Sequence, residues 1–130
     1  MSEIRLPHDH GDTLGVPLEN MPEQEEFTAV ADAFKLLGDT SRIRIFWVLC
    51  HCEQCVINLS AMVRMSSPAV SHHLKLLRAN GLIVSRREGK EVYYKASDSI
   101  QARQLHDMIE AMVRITCPGT GISAEGEQKQ

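Results

Sequence analysis

The run SSPAVSHHLKLLRANGLIVSRREGKEVYYKA, residues 66–96, leaves this chain little choice of fold. Pro68 fits only the first turn of a helix, so a helix is expected to begin there, with Ser67 as its N-cap. Val70, Leu74 and Leu77 recur at helical spacing and give that helix one buried stripe. Gly81, after Asn80, stops it. Two β-prone runs then flank Glu88-Gly89-Lys90, which is a hairpin signal. A helix is therefore followed at once by a hairpin that carries Arg86, Arg87 and Lys90.

The preceding segments set up this unit. Residues 1–21 show no apolar period and read as a flexible arm, and the folded domain is expected over 22–117. Phe27, Val30, Ala31, Phe34 and Leu37 form an amphipathic first helix, which Gly38 ends. Asp39, Thr40 and Ser41 offer N-caps for a second helix, RIRIFWVLCHC, apolar on most sides and so central. A short third helix is expected from about Ile57 to Arg64. Past the hairpin, Leu105, Met108, Ile109, Met112, Val113 and Thr116 line one face of a final helix over 98–116. Cys117-Pro118-Gly119 stops it, and residues 118–130 read as a disordered tail.

A short helix, a tight turn, a second helix and an arginine-bearing hairpin make a winged helix-turn-helix: mainly α, about five helices, with a small β-hairpin wing. The net charge of −3 hides a division. Residues 1–40 carry nine acids against two bases, whereas residues 60–95 carry seven bases against two acids. Such a local basic patch attracts a phosphate backbone. Ser66 and Ser67 can meet a phosphate at a helix N-terminus. Ser71, His72, His73, Lys75 and Arg78 form the expected base-reading and backbone-binding set, joined by Arg86, Arg87 and Lys90 on the wing. The expected partner is double-stranded DNA. No glycine-rich phosphate loop or Ser-His-Asp arrangement suggests an enzyme. No apolar run is long enough to span a bilayer, and no secretory signal is visible, so a cytoplasmic protein without a membrane partner is expected.

LGDTSRIRIF, followed by the 66–96 run, resembles the ArsR/SmtB family of metal-sensing winged-helix repressors over roughly residues 25–116. The resemblance implies a homodimer built mainly from the first and last helices. It also implies binding to a near-palindromic operator, and release when an inducer metal binds.

The stretch LCHCEQCV places Cys50, Cys52 and Cys55 within six residues. In a reducing compartment such clustering points to metal or redox chemistry. One family site resembles E-L-C-V-C-D-L; here the stretch is E-Q-C-V-I-N-L, so Glu53, Cys55, Val56 and Leu59 keep the pattern and Ile57 replaces its second cysteine. A variant site of Cys50, Cys52 and Cys55 is expected instead, with a fourth ligand from Cys117, His8 or His10. Thiolates suit zinc, cadmium, lead or arsenite. His51 is the weaker candidate, because helix neighbours point apart. The family's other site, on the last helix, is broken: Asp98 fits, but Ile100, Ala111 and Arg114 stand at or near its remaining positions. His106 and Glu110, one turn apart, read as a solvated pair. The alternative is a thiol redox or reactive-sulfur sensor on the same scaffold, in which two of the three thiols are oxidised to a disulfide.

Overall fold

The computed structural model describes residues 6–8, 11 and 18–116 of the 130. It divides into a unit ending at Lys35 and a unit beginning at Leu36. In the first unit, a 3₁₀ turn at Leu18–Asn20 precedes helix α1, Gln24–Leu36. The helix starts after Pro22, because the Glu26 carboxylate reaches back 2.8 Å to accept from the Glu23 N–H, one arm of a capping box. Phe27, Val30 and Phe34, spaced as the sequence requires, are all about half exposed.

The second unit runs α2 (Thr40–His51), β1 (Gln54–Cys55), α3 (Val56–Val63), α4 (Ser67–Ala79), β2 (Ile83–Glu88), β3 (Glu91–Ala96) and α5 (Ile100–Thr116). Asp39 caps α2, its carboxylate accepting from the Arg42 N–H at 2.9 Å. Ile45, Phe46 and Leu49 of α2 are buried and meet Leu59 and Val63 of α3, Val70, Leu74 and Leu77 of α4, and Leu82 and Ile83 at the start of the hairpin. Each such side chain stabilises the fold by about 1.5–3 kcal/mol through burial. This core fixes the back of α4 and so decides which of its side chains face outward.

The N-cap of α4 is Ser66, one residue earlier than expected; its hydroxyl accepts from the Ala69 N–H at 3.3 Å. Between α3 and α4, Arg64 takes the left-handed conformation at φ 58°, and the Met65 N–H returns 3.0 Å to the Ser60 carbonyl. The sheet is antiparallel in the order β1-β3-β2. The β2–β3 ladder runs from Ile83↔Ala96 to Glu88↔Glu91, turning at Gly89, whose φ of +64° a side chain would strain. The β1 pairing was not foreseen: Gln54 lies opposite Tyr94 and Cys55 opposite Tyr93.

Helix α5 begins at Ile100, two residues later than expected, with the Ser99 hydroxyl accepting from the Ala102 N–H at 3.0 Å. Its expected stripe divides. Leu105 and Ile109 pack on the core beside buried Ala102, which lies outside the stripe, but Met112 and, also outside it, Ile115 are exposed. Among the described residues, no helix is long and apolar enough to cross a membrane.

Candidate nucleic-acid interface and metal site

Helix α4 presents two unlike faces. Val70, Leu74 and Leu77 are buried, while Ser71, His72, Lys75 and Arg78 are exposed. The exposed set carries hydroxyl, imidazole, ammonium and guanidinium donors, the groups that read base edges and phosphates. Ser66 and Ser67 open the helix, and Arg64 stands exposed in the turn before it. Ser67 also has an inward role: its hydroxyl lies 3.2 Å from that of buried Ser60 on α3, locking the two helices of the motif together. Arg87 and Lys90 are exposed on the hairpin.

Two residues of the expected DNA set are turned to other work. His73 is half-buried, and its Nδ1 accepts from Arg42 Nε at 3.3 Å. Arg42 in turn donates from Nη1 to the Leu36 carbonyl at 2.7 Å. Burial lowers the His73 pKa, against the pull of nearby Asp39. His73 thus joins α4 to α2 and does not stand in the outward row. Arg86 donates to both carboxylate oxygens of Glu53 at 2.8 Å, and to Glu88 at 2.6 Å. Its guanidinium also lies 4.9 Å over the Tyr93 ring. The hydrogen bond from Arg86 holds the Glu53 carboxyl below its usual range. Strand alternation sends Arg87 to the opposite face, so one arginine clamps the wing and the next is left outward.

The cysteines lie where the sequence put them, around the end of α2. Cys50 is on its last turn, Cys52 is its C-cap, and Cys55 is the N-cap of α3. All three are half-buried free thiols. Burial, and then the charge of Glu110, push the Cys50 thiol up to about 11, so it carries its proton at neutral pH. The Cys52 thiol donates to the Val48 carbonyl at 3.5 Å and accepts from Gln54 Nε2 at 3.7 Å. The three sulfurs do not form a ligand group of the kind a single ion requires; among the described residues the converging group is His51, His106 and Glu110, with one ligand atom of each within 4.8 Å of the others. His51 therefore comes to the fore, and His106 with Glu110 is not a solvated pair, since both are half-buried. His8 is exposed in the first unit, and His10 and Cys117 lie outside the described residues.

Sequence reasoning singled out His51 and the one-turn pair His106 and Glu110 separately but missed that they converge, because the end of α2 and the middle of α5 are far apart along the chain. Arg42 and Trp47 were missed for the same reason. Trp47 Nε1–H donates to Glu110 Oε2, a contact spanning 63 residues of sequence.

A family model described as bacterial regulatory protein, arsR family, matches residues 39–85. The arsenical resistance operon repressor of Escherichia coli is 41% identical over 70 residues, covering 53% of this chain and 60% of that protein. The HTH-type transcriptional regulator KmtR of Mycobacterium tuberculosis is 32% identical over 98 residues, covering 75% of this chain and 73% of its own length. The solved structure of reduced HlyU from Vibrio cholerae superposes with a TM-score of 0.61 at 30% identity, covering 72% of this chain and 94% of that one. The chain spans little more than half the length of the first curated relatives it matches.

Proposed function

Given that this chain belongs to the arsR family of bacterial regulatory proteins, we propose that it is a homodimeric transcriptional repressor that releases operator DNA when a metal ion or metalloid binds it. The observation that carries the DNA-binding part is the division of α4: one face is locked into the core by Val70, Leu74 and Leu77, and the other offers Ser71, His72, Lys75 and Arg78. A rigid back and a polar front are what a helix needs to sit in a major groove. Dimerisation is supported by apolar side chains left open on the helices expected to pair. These are Phe27, Val30 and Phe34 on α1, and Met112 and Ile115 on α5.

The inducer reading is supported by where the candidate ligands stand. His51 stands at the C-terminal end of α2, flanked along the chain by the half-buried thiols of Cys50, Cys52 and Cys55. Both ends of α2 lead to the DNA-reading helix. Arg42 holds His73 of α4 at one end. At the other, the chain continues through β1 into α3, whose Ser60 is tied to Ser67. A differential binding free energy of about 1–3 kcal/mol between the two states changes DNA affinity by roughly five- to 150-fold. Zinc and cobalt are the inducer candidates that imidazole favours, and cadmium, lead and arsenite those that thiolate favours.

The test uses a duplex selected by the protein from a random library. Reduced protein is bound to the labelled duplex, and anisotropy is followed while zinc, cobalt, cadmium, lead or arsenite is added. Release by at least one ion at stoichiometric concentration is expected. If none releases the duplex but a persulfide donor or a mild oxidant does, the metal reading is wrong and thiol oxidation is the signal. Failure to select any duplex refutes the DNA-binding reading itself.

A further inference from the structure

We propose that His51, His106 and Glu110 form a site within one protomer for a borderline divalent cation of the zinc, cobalt and nickel class. The inference deepens the metal-responsive reading above by giving it a place and an ion class.

Three features of the trio are those of a ligand set. His51 is oriented: its Nδ1 lies 2.8 Å from the Trp47 carbonyl, so Nδ1 carries the proton and Nε2 the lone pair. The Nε2 of His106 is buried and has no hydrogen-bond partner. A buried polar atom is ordinarily satisfied, so an unmet one marks a missing partner. That nitrogen stands 3.6 Å from Glu110 Oε2, too far for a hydrogen bond. The spacing suits an ion between them, because two ligands about 2.0–2.2 Å from a tetrahedral cation lie roughly 3.4 Å apart. Glu110 is itself held in place by the Trp47 indole N–H.

The donors choose the ion. Two imidazoles and a carboxylate suit zinc, cobalt and nickel, whereas cadmium, lead and arsenite favour thiolates. The three protein ligands leave one position for water in the cleft that His51 and His106 share with Cys52 and Arg103. Because Trp47 hydrogen-bonds Glu110 and stacks on His51 with ring centroids 4.1 Å apart, the single tryptophan of the chain is a built-in reporter. The site joins α2 to α5, and α2 reaches α4 through Arg42 and His73, so occupancy bears on the DNA-reading helix.

The experiment titrates the reduced, metal-free full chain with cobalt(II). Absorbance and Trp47 fluorescence are recorded, and zinc then competes the cobalt off. Expected are one cobalt per protomer, visible d–d bands without an intense near-ultraviolet thiolate-to-cobalt band, and quenching of Trp47. The changes His106→Gln and Glu110→Gln should each weaken binding at least tenfold, while Cys50→Ser/Cys52→Ser/Cys55→Ser should leave it within about twofold. Glu110→Gln keeps an acceptor for the indole, and His51→Ala alters an exposed residue, so each is a second variant if His106→Gln does not fold. A thiolate band abolished by the cysteine changes overturns the site. So does unaltered cobalt affinity in both glutamine variants, or no cobalt binding by the native chain. Cobalt binding as described with no change in DNA affinity upholds the site and refutes only the release of DNA through it, so the two failures are separable.

Discussion

Arg86 and Arg87 are neighbours of equal charge, and the structure assigns them opposite fates. Replacing Arg87 with alanine is expected to flatten the salt dependence of DNA binding; replacing Arg86 is not. Each phosphate contact contributes about 0.9 to the slope of log K against log salt. With one Arg87 contact per protomer, a dimer loses about 1.8 from that slope. Over a fourfold rise, from about 50 to about 200 mM, the native protein, bound as the proposed dimer, then loses roughly twelvefold more affinity than Arg87→Ala. Arg86 meets no phosphate while its guanidinium is spread across Glu53 and Glu88. Both variants remove one positive charge per protomer, so long-range attraction falls equally and only the contact differs. Arg86→Ala should instead lower the thermal midpoint, because it unties the wing from the segment after α2. The assay is anisotropy of a fluorescent duplex across the salt series, with a melting curve for each variant. If Arg86→Ala flattens the slope as much as Arg87→Ala, the clamp opens on DNA and the assignment is refuted.

Further outcomes follow from burial and charge. Leu77 of α4 is fully buried, so Leu77→Ala should cost about 2–5 kcal/mol in urea unfolding; a loss under about 1 kcal/mol would mean that the stripe is not core. The Asp39 carboxyl is held below its ordinary value, first by the Arg42 N–H. Its contribution to stability is therefore present above the unfolded value near 3.8 and lost as pH falls through the lower folded value. Asp39→Asn keeps the capping oxygen and should remove that acid-side slope from the stability profile; an unchanged slope assigns it elsewhere. Cys50, pushed up to about 11 by burial and Glu110, contributes stability that is full below pH 9.0 and is lost as pH rises through the folded value. In the native state it should alkylate more slowly near pH 8 than a free cysteine, and Glu110→Gln should speed it; no rate change would remove Glu110 as a cause.

Much of the fold could be read from side-chain period alone. Val70, Leu74 and Leu77 announced α4 because a helix with one buried face must repeat at that spacing, and the structure buries all three. Two β-prone runs around Gly89 announced the hairpin for a similar reason. A two-residue strand has no period, so β1 left no trace in the sequence. The assignment of Ser67 as N-cap missed by one residue because Ser66 and Ser67 are chemically alike, and only the backbone distinguishes them. His73 was placed in the DNA set, partly packed, by its position on α4 and Arg86 by its place on the hairpin; the partners that hold them here, Arg42 and Glu53, are 31 and 33 residues away and leave no trace in local sequence. The three cysteines were conspicuous because they are close in sequence, yet the converging ligand group among the described residues does not include them. His51, His106 and Glu110 show the converse: spacing marks the last two as one turn apart, but only packing brings His51 to them.

Short as it is, β1 sets a rule for which lengths of chain this protein can tolerate. Gln54 and Cys55 face Tyr94 and Tyr93, and successive strand residues point to opposite sides. A one-residue slip of Gln54 and Cys55 against Tyr94 and Tyr93 would exchange their faces, whereas a slip of two would restore the alternation. No such parity governs the hairpin tip at Gly89, which lies beyond the last paired residues, Glu88 and Glu91. Lengthening the chain there changes the reach of the wing; a one-residue slip in β1 turns a cysteine to the other side of the sheet.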